Sequence, residues 1–73
     1  MRLLIDVGNT SLKAVLWGNE QAQPADINNL PWLQITEVIY ACVGRSDLLN
    51  DILMQAASNN ITCFEAKVTK TLG

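Results

Sequence analysis

Seventy-three residues with a formal net charge of −2 make at most one domain, near the lower size limit for folding unaided. At 49% hydrophobic and 16% charged, the chain is too apolar and too weakly charged for a disordered segment. Lys and Arg form no basic tract, which argues against a nucleic-acid partner, and no run approaches the roughly 18 apolar residues that span a membrane.

Aromatic residues are few, so the expected core is aliphatic. Asp6 interrupts the apolar opening before it can act as a signal peptide. Cys42 and Cys63 form no CxxC pair and there is no histidine, which excludes the usual zinc sites. Both are expected to be buried free thiols of a cytosolic protein.

In chain order, residues 2–7 read as a strand, apolar apart from Arg2 and Asp6, the pattern of a strand covered on both faces. Gly8-Asn9 is a turn pair, since both residues tolerate positive φ. Residues 10–17 then alternate, with Leu12, Ala14 and Leu16 on one side and Ser11, Lys13, Val15 and Trp17 on the other. Two such runs about Gly-Asn predict a β-hairpin. Gly18-Asn19-Glu20 predicts the next turn. Residues 21–33 are ambiguous, holding Pro24, Pro31 and a candidate helix cap at Asp26, with room for only a short helix.

Residues 35–43 form the second strand region, strongest from Val38 onward and ended by Gly44. Ser46 predicts a helix cap, with Asp47 at the positive end of the dipole. Leu48, Leu49, Ile52, Leu53 and Ala56 recur at helical spacing as one buried stripe, and Ser58-Asn59-Asn60 ends it. Residues 61–64 give a third strand region, and residues 67–73 are more polar. Strand, helix, strand is the unit that pairs two parallel strands through a right-handed crossover. The predicted fold class is therefore α/β, an N-terminal β-hairpin followed by a β-α-β unit.

Asp6-Val7-Gly8-Asn9-Thr10 directly follows the apolar run Leu3-Leu4-Ile5. A carboxylate at a strand end, a Gly-Asn turn and a hydroxyl together form a candidate phosphate loop. Backbone amides and short polar side chains hydrogen-bond phosphate oxygens there, while the acid helps hold a metal ion. Each residue also has an ordinary reading. An acid near a strand end usually serves a turn, Gly8-Asn9 closes many hairpins, and Lys13 reads as a solvated strand lysine. The weight lies in the combination. Asp6 sits in an apolar run, where an unpaired charge costs several kcal/mol unless something compensates, and hydrated Mg²⁺ beside ATP would do so. Lys13 emerges on the same face as Ser11, within reach of a phosphate at the loop. Arg45 reads as a solvent-facing charge, and Trp17 and Trp32 as packing residues.

The opening Leu4-Ile5-Asp6-Val7-Gly8-Asn9-Thr10, with Lys13 and Leu16 following, resembles the N-terminus of type III pantothenate kinases. The resemblance continues through Val38–Val43, the capped helix and Ile61–Phe64. These kinases belong to the superfamily of acetate and sugar kinases, heat-shock chaperones and actin, so it implies one lobe of a ribonuclease H-like, actin-like ATPase domain over residues 1–73. It also implies Asp6 near metal and phosphates, with Gly8, Asn9, Thr10 and Lys13 as phosphate contacts. The implied cofactors are ATP, Mg²⁺ and a monovalent cation (K⁺ or NH₄⁺), with pantothenate as substrate and a cytoplasmic homodimer as the working form. Some members carry an older label as Bvg accessory factors; the acidic balance gives DNA binding no support.

The stretch between Trp17 and Ile35 is shorter than in the family, which leaves a third hairpin strand and a first helix open. The family's Gly-x-Asp-Arg motif, second phosphate loop, adenosine-binding half and catalytic base have no counterpart here. The resemblance therefore implies an N-terminal fragment without kinase activity of its own, exposing apolar surface that favours self-association. Another small-molecule kinase of the superfamily, or a non-catalytic α/β interaction module, are the alternative readings.

Overall fold

A computed structural model describes residues 1–9, 11–43 and 46–66. Its elements in chain order are β1 (Arg2–Val7), β2 (Leu12–Gly18), β3 (Gln21–Pro24), β4 (Glu37–Cys42), α1 (Asp47–Ser58) and β5 (Thr62–Glu65). They form one five-stranded sheet in the order β3-β2-β1-β4-β5. β1, β4 and β5 run parallel, while β2 and β3 join the opposite side as an antiparallel meander. The mixed α/β class, the hairpin and the β-α-β unit are all present.

The hairpin register pairs Leu3 with Leu16, Ile5 with Ala14 and Val7 with Leu12. This leaves residues 8–11 as the loop, closed by the Gly8 amide donating to the Ser11 carbonyl at 2.8 Å. Neither Gly8 nor Asn9 adopts the positive φ expected of the pair. That conformation falls instead on Asn19 (52°) and Glu20 (62°), between the paired residues Gly18 and Gln21. Two residues with positive φ make a type I′ connection, whose twist matches that of the flanking strands. The ambiguous stretch thus begins with a true third strand. No helix starts at Asp26; its Oδ1 accepts from the Asn28 amide at 3.0 Å in a local turn.

α1 is a short amphipathic helix with both ends satisfied. Ser46 Oγ accepts from the Leu49 amide at 3.1 Å, and Asp47 lies in the first turn. At the other end Asn60 takes φ 59°, the Ile61 amide donates to the Ala56 carbonyl (2.9 Å) and the Asn60 amide to that of Ala57 (3.0 Å). These are the two bonds of a Schellman ending, and Ile61 packs back onto the core as that motif requires. Ser46→Ala is expected to lower stability by about 1 kcal/mol. Urea unfolding followed by far-UV circular dichroism checks this, and an unchanged midpoint would refute the capping role.

The core lies between α1 and one face of the sheet. Leu49, Ile52 and Ala56 meet Leu3, Ile5, Val7, Val38 and Ile35, all at most 5% exposed. Leu53 is half-buried beside them. Leu48 departs from the predicted stripe, being exposed at the helix edge. Residues 27–32 pack against the same core, held to α1 by Trp32 Nε1 donating to Gln55 Oε1 at 3.2 Å. Cys42 and Cys63 form no disulfide and are half-buried rather than buried. Burial raises the pKa of Cys63, whose thiol faces the Ile61 carbonyl at 3.9 Å.

The expectation of a sheet covered on both faces is corrected. Along β1, Leu3, Ile5 and Val7 are buried while Arg2, Leu4 and Asp6 are exposed. The alternation is that of a half-covered sheet, because α1 lies on one side and no described element lies on the other.

Candidate functional site

β1 occupies the place where the chain's connections change direction. They leave it on one side through β2 and β3 and return on the other as β4 and β5. In open α/β sheets, ligands bind beyond the carboxyl ends of the parallel strands at such a switch point. Asp6 is the penultimate residue of β1, and Gly8 and Asn9 open the loop that follows. The sequence therefore carries its candidate phosphate loop to the position that the topology favours.

Register brings Lys13 directly opposite Asp6 across the β1–β2 ladder, with Ala41 flanking Asp6 on β4. Both charged residues are exposed and share the uncovered face, yet no salt bridge joins them. Among the described residues the ion pair is Arg2 Nε to Glu37 Oε2, at 3.2 Å, at the far end of that face. The Asp6 carboxylate also makes no hydrogen bond with another described residue. Among the described residues nothing occupies it, which leaves it open to a cation or donor on that side.

Asp6 and Lys13 border a shallow depression of about 340 Å³, floored by Leu4, Val15, Ile39 and Ala41 and reached by Ala66. Sequence reasoning missed this apolar floor. Its signal was the alternation along residues 35–43, which puts Ile39 and Ala41 on the same side as Leu4 and Asp6. Thr10 and Arg45 lie outside the described residues, so the site is built from Asp6, Gly8, Asn9 and Lys13.

Gly8 carries a second hint. Its φ is not positive, and a Cβ there would meet only the Ser11 carbonyl oxygen, at an ordinary 3.8 Å. Among the described residues the fold leaves room for a side chain there. A glycine that neither backbone conformation nor packing requires suits a loop whose amides must approach a ligand closely. The N-terminus of α1, also after a parallel strand, is less suited to an anion, since Ser46 already caps it and Asp47 is acidic.

One carboxylate is a sparse metal site. Among the described residues no group of three or more His, Cys, Asp or Glu side chains could enclose a metal ion. Mg²⁺ nevertheless fits a lone exposed carboxylate, because it commonly keeps several waters and takes its remaining ligands from substrate phosphates.

Fold and site together define a mixed α/β unit with a hairpin loop at the carboxyl end of its central strand. Comparison with curated proteins is more specific. Over all 73 residues the chain is 78% identical to the N-terminal part of a type III pantothenate kinase from Pseudoalteromonas translucida (strain TAC 125). The match covers 100% of this chain and 31% of that protein. The resemblance read from the opening motif is thereby shown across the whole chain. No family model matches the chain, and no solved structure matches it. No described helix is long and apolar enough to cross a membrane.

Proposed function

We propose that this chain is the phosphate-binding wall of a pantothenate kinase, acting within a longer protein that transfers the γ-phosphoryl of ATP to the primary hydroxyl of pantothenate. That is a step of coenzyme A synthesis. The observation that carries this reading is the match at 78% identity, over all 73 residues of this chain and 31% of the relative, to a protein named for the activity. The placement of Asp6, Gly8 and Asn9 at the switch point supports it independently. Residues 1–73 then form part of the N-terminal lobe of a ribonuclease H-like, actin-like ATPase domain.

In that role the Asn9 amide and the Thr10 hydroxyl donate hydrogen bonds to phosphate oxygens, while Gly8, whose amide closes the loop on the Ser11 carbonyl, lets the backbone approach them closely. Lys13 faces the same space and neutralises phosphate charge. Asp6 holds Mg²⁺ through its free carboxylate, and the metal supplies charge neutralisation at the phosphates when bound. Phosphoryl transfer is mostly positioning and electrostatics, so the work of this wall is to fix the phosphates. The base that orients the pantothenate hydroxyl belongs to the rest of the enzyme. The same reading includes a monovalent cation, a homodimer and a cytoplasmic location, supported by the family resemblance, and no nucleic-acid or membrane partner, supported by the acidic, tract-free composition.

The test joins this chain to the portion of the Pseudoalteromonas relative that follows its matched part, and assays the product with ATP, Mg²⁺, K⁺ and pantothenate in a coupled assay. Turnover by the joined protein and none by the 73-residue chain is the expected result. Turnover with acetate or a sugar in place of pantothenate would move the chain to another kinase of the superfamily. No turnover, together with Gly8 and Asn9 amide resonances unmoved by MgATP, would leave a non-catalytic module.

A further inference from the structure

One edge of α1 borders a cleft. Leu48, Asp51, Ile52 and Gln55 recur at three- and four-residue spacing and so share that edge, and residues 27–32 stand across from them. The connection from β3 to β4 crosses here as turns rather than as a helix, so it meets α1 at Trp32 and Gln55 without covering it. The space between measures about 460 Å³, within the roughly 300–1,000 Å³ of small-molecule sites. Its base is apolar: Ile27 and Leu30 are half-buried against the core, and Ile52 is 1% exposed. Asp51, Asn28, Asn29 and Gln55 supply the polar part of the lining. Among the described residues no Lys or Arg lines the cleft, and the Asp51 carboxylate has no salt-bridge partner.

We propose that this cleft binds a small organic ammonium ion, its charge held by Asp51 and its apolar body seated on Ile27, Leu30 and Ile52. Charge complementarity chooses the class. A carboxylate with no cation beside it attracts a positive ligand and repels a phosphate or another carboxylate. Trp32 acts in the same direction, since an indole draws a nearby cation through its ring quadrupole. The hydrogen bond from Trp32 Nε1 to Gln55 Oε1, at 3.2 Å, fixes that indole against the helix. The side-chain carbonyls of Asn28 and Asn29 add acceptors for the ligand's N–H groups. The cleft lies on the α1 side of the sheet, whereas Asp6 and Lys13 share the uncovered side. It is therefore a second site, and the inference stands whichever reaction the protein performs.

NMR titration of the isotope-labelled chain tests it, with benzylammonium chloride as the probe and benzyl alcohol as its neutral counterpart. Millimolar benzylammonium is expected to move the Trp32 indole N–H and the side-chain amides of Asn28, Asn29 and Gln55 along one saturating curve. Trp17, beside Arg2 on the opposite face of the sheet, is the control, and its indole N–H should stay in place. Benzyl alcohol should bind several-fold more weakly, and benzoate should leave the cleft unmoved. Asp51→Asn keeps the side chain's size and should erase the preference for the ammonium, with the thermal midpoint unchanged because Asp51 is exposed. Shifts that do not saturate, or equal movement at Trp17, would overturn the proposal by showing non-specific contact. Equal affinity for benzylammonium and benzyl alcohol in the unaltered chain would also overturn it, however Asp51→Asn folds. So would a preference that survives Asp51→Asn. Shifts at Leu48 and Trp32 that track protein concentration without any probe would overturn it by making a second copy the occupant.

Discussion

Asp6→Asn in the joined protein is expected to cut kcat/KM for MgATP-dependent phosphorylation roughly 10²–10³-fold, the range for removing one preorganised electrostatic contact. The substitution keeps the side chain's size and removes its charge. Because Asp6 is exposed and has no salt bridge to lose among the described residues, folding stability should move by no more than about 0.5 kcal/mol. That separation makes the variant informative. If Asp6 holds Mg²⁺, raising the Mg²⁺ concentration should recover part of the lost rate. Wild-type kinetics from Asp6→Asn would remove the carboxylate from the mechanism, and a collapse in stability equal to the loss in rate would assign it a structural role.

Leu3→Ala and Ile52→Ala should each destabilise the 73-residue chain by about 2–5 kcal/mol. Both side chains are essentially inaccessible, at 0% and 1% exposure, and they stand on the two layers that make the core, one from β1 and one from α1. A chain of this length has a total stability of about 4–11 kcal/mol at the usual 0.05–0.15 kcal/mol per residue. Either truncation therefore removes a large share of it. Thermal melts followed by far-UV circular dichroism should register a much lower midpoint or no cooperative transition. Leu33→Ala, at a position 99% exposed, provides the contrast and should melt with the parent chain. If Leu3→Ala melted with Leu33→Ala, the core would be misplaced.

Much of this architecture was legible in the residues because its signals are local. The alternation from Leu12 to Trp17 required a strand, and the Ser46 cap with Leu49, Ile52 and Ala56 required a helix of that length and orientation. The short third strand was not legible. All four residues of β3 are exposed, so no apolar pattern marks them, and the strand exists because the Asn19-Glu20 turn returns the chain alongside β2. The error over the second face of the sheet has a similar origin. Leu3-Leu4-Ile5 reads as buried on both sides, and the cover for Leu4 is not found among the described residues. Of the candidate site, Asp6, Gly8, Asn9 and Lys13 could be named from the sequence. The hairpin also put Lys13 within reach of the loop, but the apolar floor beside them was not legible, since it depends on strand order and register, which bring Ile39 and Ala41 alongside from β4.

The strand order also bears on how the polypeptide emerges during synthesis. β1 precedes the other four strands of the sheet in the chain, yet it lies in the middle of the sheet. Its hairpin partner is available almost at once, but its other edge stays unpaired until β4 arrives some thirty residues later. For that interval a nascent ribbon rich in leucine and valine has an open row of amides and carbonyls on one side. The late helix, against which the intervening loop also packs, makes this the period when a ribosome-bound chaperone has the most to shield.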